Sequence, residues 1–364
     1  MLSLCGDRPN IVQLLREDGA FAWWYLDLVD GEGQGLVLIW SFGLPFLPDA
    51  RTPRPARDRP SLSLSLYRDG VPWLYALQTH RPEAASCSPD GRFVRLGRST
   101  FELRPRGGRV EVLADLDLDL VGGERLRGRL HAEGHAVRLP SVTAPSSSHA
   151  WAPILAASSA VADLDTPEGP VRIAGRVYVD GNHSERPLHE LGIADWRCGR
   201  VAFAERELVY YLVEPESSDD PPIALVLEID EDGRARHHDQ TRVVWHGPRR
   251  SIYGLRYHDR LTLDGPDLAL SLRVTALVDD GPFYLRFLVE GEDHRRGELG
   301  RGVAERVVPS RVDRPWQRPF VRMRTQAVGG DNSIWLPLFS GRRRGRFRRL
   351  FGERFAPAGR EVRA

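Results

Sequence analysis

Ser61-Leu62-Ser63-Leu64-Ser65-Leu66 alternates a small polar and an apolar side chain at every step. Successive side chains of an extended chain point to opposite faces, so this segment reads as a strand with one apolar and one polar face. Asp115-Leu116-Asp117-Leu118-Asp119-Leu120 repeats the pattern with carboxylates in place of hydroxyls. Runs rich in Val, Leu, Ile and aromatics extend the reading to Phe21–Val29, Leu36–Phe42, Arg109–Leu113, Val201–Ala204, Leu208–Val213, Ala224–Ile229, Leu268–Val278 and Phe283–Val289. Asp-Gly pairs begin at positions 18, 30, 69, 90, 180, 232, 264 and 280. Both residues tolerate positive φ, and such pairs between apolar runs favour tight hairpins. With 35 Gly and 27 Pro spread over 364 residues, long helices are excluded. Short helices are expected near Ile11–Arg16 and Pro187–Gly192.

The expected fold class is therefore all-β, with two tandem antiparallel β-barrel or sandwich domains, because closure removes the exposed edges of so many strands. A break around Leu191–Arg200 separates an expected first domain, 1–195, from a second, 196–340, with an Arg-rich tail over 341–364. Arg51–Pro60 and Glu214–Pro222 read as exposed loops.

A composition of 41% hydrophobic and 28% charged residues excludes a disordered or collagen-like chain. All 51 cationic side chains are Arg, and they nearly balance 50 acids, so net charge argues against a nucleic-acid partner. The segment Arg342–Arg349 concentrates six Arg around Phe347, a basic patch suited to peripheral contact with an anionic membrane. Gly341 and Gly345 interrupt any helix there, which favours a solvated tail instead. Cys5, Cys87 and Cys198 contain no C-x-x-C spacing, so neither a disulfide framework nor a cysteine zinc site is expected. No secretory leader is read at the start, and the most apolar run, Gly35 to Pro48, is shorter than the roughly 18 residues of a spanning helix. A cytoplasmic location, at most peripheral on the inner membrane surface, is the expectation.

Gly31-Glu32-Gly33-Gln34-Gly35 lies between two strands and reads as a hairpin rather than a phosphate loop. His131 and His135 sit on a strand pattern and not on the helical face that a zinc pair requires, so no metal is expected. No G-x-S-x-G occurs. Three segments carry more chemistry. In Trp23-Trp24-Tyr25-Leu26-Asp27, alternation sends Trp23, Tyr25 and Asp27 to one face and Trp24 to the other. His149-Ala150-Trp151-Ala152-Pro153 joins an imidazole to an indole ahead of an apolar stretch. Tyr178-Val179-Asp180-Gly181-Asn182-His183-Ser184-Glu185-Arg186-Pro187-Leu188 concentrates acid, amide, imidazole and guanidinium groups. Its plainest reading is a hairpin turn at Asp180-Gly181.

In this order along the chain, and followed by Asp195-Trp196, Gly302-Val303-Ala304-Glu305 and Pro315-Trp316 to Pro319-Phe320-Val321-Arg322-Met323, these segments resemble the carotenoid 1,2-hydratase (hydroxyneurosporene synthase) family and related lipocalin-like proteins. The resemblance implies two lipocalin-like β domains. It also implies a lyase that adds water to a terminal isoprenoid double bond without a cofactor, with an apolar polyene as partner. An unactivated alkene is a weak base, so a protonated carboxylic acid must meet it in a water-poor pocket. Asp180 matches the family's acid, and Asn182 and His183 are candidates to orient it. Trp23, Trp24, Tyr25, His149, Trp151, Glu185 and Trp196 are candidate substrate-binding residues. His183-Ser184-Glu185-Arg186 stands where the hydratases tend to have Phe-Gly-Asp-Glu, which leaves two other readings open. One is a pericyclase of Diels–Alder type, for which a shaped pocket and a hydrogen-bond donor suffice. The other is a non-catalytic carrier of apolar ligands.

Overall fold

The computed structural model describes residues 2–4, 10–140, 149–344 and 346. Cys5 and half of the arginine segment 342–349 lie outside them; of that segment Arg342, Arg343, Arg344 and Arg346 are described. The protein is nearly all-β, built from two sheets, each curled into a half-barrel. The first has 14 strands and the second nine. In the first sheet the strands that matter for the site are neighbours: Val71–Thr79, Pro60–Arg68, Gly35–Phe42, Phe21–Val29, Gly169–Ser184 and His149–Thr166, in that order. In the second, Arg206–Pro215, Ile193–Ala202, Glu298–Val307 and Tyr284–Asp293 lie side by side. After Val307 the chain returns to the first sheet, where Thr325–Ala327 and Gly341–Arg342 both pair with Val71–Thr79.

Among the described strands pairing is antiparallel except for Leu2–Leu4 on His149–Trp151 and Thr325–Ala327 on Leu77–Thr79, which run parallel, and an isolated parallel bridge joins Arg138 to Arg234. Asp69 and Gly70, at φ 52° and 69°, make the tight turn between Pro60–Arg68 and Val71–Thr79. Asp180-Gly181 does not turn. It lies inside the Gly169–Ser184 strand, with Asp180 opposite Tyr25 on one side and Pro153 on the other. The expected helices shrink to one turn at Ile11–Leu14, capped by Asn10, and a 3-10 turn at Leu188–Glu190.

Three cores follow from the two curled sheets. Trp24, Leu26, Leu28, Trp40, Leu62, Leu64 and Val177 fill the first half-barrel. Val201, Leu208, Leu263, Leu270 and Phe287 fill the second. A third core lies between the sheets and includes Trp23, Tyr25, Trp151, Tyr178, Trp196 and Tyr211. The serine face of Ser61–Leu66 turns toward this middle layer, so Ser61 and Ser65 are buried rather than wetted. The aspartate face of Asp115–Leu120 stays at the surface, where Asp115 and Asp117 pair with Arg129 and Arg125. The two alternating segments have one local pattern and two different surroundings.

Candidate active site

The middle layer contains a cavity with about 1150 Å³ of atom-free space, part of it open to solvent. Trp23, Tyr25 and Asp27 enter from one strand, Tyr178, Asp180 and Asn182 from the next, and Trp196, Cys198 and Arg200 from the facing sheet. Each triplet is spaced by two residues, as a strand must be to present three side chains on one face. Val321 and Arg324, from the returning C-terminal segment, complete the wall.

Asp180 is held from two sides. Trp151 Nε1 donates to its Oδ2 at 2.9 Å, and Asn182 Nδ2 donates to its Oδ1 at 2.9 Å. Asn182 is oriented in turn, because its Oδ1 accepts from the Tyr211 hydroxyl at 2.9 Å and lies 3.1 Å from His149 Nε2. Burial pushes the His149 imidazolium pKa down to about 3, so the ring is neutral, and donation to Asn182 assigns its proton to Nε2. Tyr211 stacks on Trp151 with ring centroids 4.4 Å apart, fixing the indole that holds the acid. Burial raises the Asp180 pKa to about 7, with the charges of Glu305 and Asp27 adding to the rise and the Trp151 and Tyr178 side chains opposing it. The result is a carboxyl group that keeps its proton near neutral pH beside an aromatic cavity.

A buried ion cluster supports one side of the site. Arg200 Nε donates to Asp27 Oδ1 at 2.9 Å, Nη2 also contacts Asp27, and Nη1 lies 3.1 Å from Glu207 Oε1. All three residues are at most 1% exposed, and the cluster joins the two sheets. Glu207 Oε2 accepts from the backbone N–H of Ala157 at 2.7 Å. Ala157 sits at φ 49° in an irregularity of the His149–Thr166 strand, a conformation strained for a residue with a Cβ and held there by this buried contact.

The structure brings Trp23, Tyr25, Asp180, Asn182 and Trp196 together around the cavity, with His149 and Trp151 packed behind the acid. It separates three expected site residues from them. Trp24 points the other way, into the first half-barrel, with its ring 6.5 Å from Phe42. His183 shares the strand face of Val177 and Val179 and not that of Asp180, so orientation of the acid falls to Trp151 and Asn182. Glu185 is exposed beyond the end of the strand at Ser184. Tyr211, Arg200 and Glu207 had no local signal, since each acts on a partner in the other sheet. Tyr211 stands within an ordinary apolar strand run.

An aromatic cavity with a buried acid of raised pKa, set between two curled antiparallel sheets, defines a protein of lipocalin-like fold. Residues 70–328 match the carotenoid hydratase CrtC family, and the chain belongs to that family. It is 24% identical over 351 residues to a protein named hydroxyneurosporene dehydrogenase from Chlorobaculum tepidum, covering 87% of this chain and 90% of that one. It is 26% identical over 321 residues to the acyclic carotenoid 1,2-hydratase of Thiocapsa roseopersicina, covering 86% and 74%. Among solved structures, CghA with Sch210972 superposes with a TM-score of 0.55 at 13% identity, covering 80% of this chain and 89% of that one, a likeness of fold.

Proposed function

We propose that the protein is a hydro-lyase that adds water to the terminal double bond of an acyclic isoprenoid polyene, with Asp180 as the proton donor. The observation that carries this reading is the Asp180 carboxyl, buried, raised to about 7, and fixed by Trp151 and Asn182 against an aromatic cavity. The Asp180 proton forms a C–H bond at the less substituted alkene carbon as the π bond breaks. The tertiary cation that results is stabilised by the faces of Trp23, Tyr25 and Trp196, which line the same space. Water then forms the C–O bond and releases a proton, and the acid is restored.

Asp180→Asn removes the donor with little change of size. Its rate of hydration is expected to fall by about 10²–10⁴-fold while circular dichroism stays native. Undiminished turnover would overturn the assignment. In deuterated water the alcohol should carry one solvent deuterium on carbon. A product without it points instead to cyclisation in the same pocket, and recovery of unchanged ligand from a native preparation points to a carrier.

A further inference from the structure

A second carboxylate faces the cavity from the other sheet. Glu305 lies on Glu298–Val307 and lines the space that Asp180 enters from Gly169–Ser184. Its Oε1 accepts from the Tyr284 hydroxyl at 2.6 Å and from Arg286 Nε at 2.7 Å. Arg286 is anchored across the sheets, with Nη1 donating to the Tyr67 hydroxyl at 2.9 Å and to Ser65 Oγ at 3.4 Å. Both side-chain hydrogen bonds of the Glu305 carboxylate thus fall on Oε1, and no hydrogen bond or ion pair among the described residues engages Oε2. Asp180 is the reverse case, since Trp151 and Asn182 each hold one of its oxygens. Two carboxyl groups in different surroundings, one buried without a cation and one ion-paired to a guanidinium, suit the donor and acceptor halves of one reaction.

Resting on the hydration reading above, we propose that Glu305 is the water-handling carboxylate, its Oε2 accepting a hydrogen bond from the attacking water and taking that water's proton as the C–O bond forms. Asp180 gives its proton to the alkene carbon and is left as a carboxylate. A water lone pair forms the bond to the cationic carbon, and one water proton passes to Glu305. Glu305 then releases that proton to solvent and Asp180 takes one up, so the net change is alkene plus water to alcohol. No oxidant, reductant or further reactant enters the balance.

The test uses the full-length protein in deuterated water with a detergent-solubilised acyclic carotene bearing a terminal isopropylidene group. Two quantities are read: deuterated alcohol, and deuterium in the recovered alkene. Glu305→Gln keeps the shape and an acceptor for Tyr284 and Arg286. It is expected to lower alcohol formation by about 100-fold while deuterium still enters the recovered alkene, because Asp180 continues to protonate it and the uncaptured cation reverts. Asp180→Asn should lose both signals, and Glu305→Asp should restore part of the hydration. Undiminished hydration by Glu305→Gln overturns the proposal. So does loss of both signals with native near-ultraviolet dichroism, which would mean that Glu305 only shapes the site. If the wild-type protein yields neither signal, the hydration reading fails, and this proposal with it.

Discussion

The Phe21–Val29 strand has two faces with opposite fates. Trp24, Leu26 and Leu28 point into the apolar core of the first half-barrel. Trp23, Tyr25 and Asp27 point between the sheets, toward acids, guanidinium groups and an open cavity. Both faces are buried along the whole strand. The inner face is stabilised by removing apolar area from water, at about 25 cal/mol per Å², and needs no partner chemistry. The outer face buries polar groups, which is costly unless each is paired, so it depends on residues of the second sheet such as Arg200. One face holds the fold together, and the other lines the cavity with polar groups that a second sheet must pair.

Breaking the ion cluster tests this contrast most strongly. Arg200→Met leaves Asp27 and Glu207 buried without their cation, and stability should fall by about 3–5 kcal/mol in urea denaturation. Because the Asp27 charge also acts on Asp180, the alkaline limb of the pH–rate profile should move with it. Leu64→Ala in the half-barrel interior is the matching control. It should cost about 2–5 kcal/mol by the same measurement yet leave that profile in place below the melting transition. A profile that shifted for Leu64→Ala, or stayed fixed for Arg200→Met, would erase the distinction between the faces.

The mildest probe is pH itself. Asp180 donates only while protonated, so hydration should decline above about pH 7, by roughly tenfold per unit. Stability runs in the same direction. The folded-state pKa of Asp180 lies above its unfolded value of about 3.9, so the folded state binds the extra proton. Its contribution is fully present below about pH 4 and is lost as pH rises through about 7. Asp180→Asn should flatten this part of the stability curve, and a curve of unchanged slope would show that another group governs it.

Much of the fold was legible locally. The strand Phe21–Val29 has the bounds read from its residues, Ser61–Leu66 lies within a strand, and the strand holding Asp115–Asp119 ends one residue before Leu120. The long central strands His149–Thr166 and Gly169–Ser184 were missed as units. Part of each runs between two cores and is buried on both faces, which erases period-two alternation. The same cause disguised Asp180-Gly181 as a turn, since an Asp-Gly pair in mid-strand has no local mark distinguishing it from one at a hairpin. Alternation did place Trp23 and Tyr25 opposite Trp24, and the family resemblance singled out Asp180, Asn182, His149 and Trp151.

The sequence by itself determined the alternation of strands such as Phe21–Val29 and Ser61–Leu66, turns such as Asp69-Gly70, and which residues of one strand share a face. Those are consequences of backbone geometry over a few residues. Only the tertiary structure decided that the serine face of Ser61–Leu66 is covered while the aspartate face of Asp115–Leu120 is wet. It alone brought Tyr211, Arg200 and Glu305 to the cavity that Asp180 enters. A carboxyl group becomes a useful acid near neutral pH through desolvation and neighbouring charges, and those are set by chain segments far away in sequence.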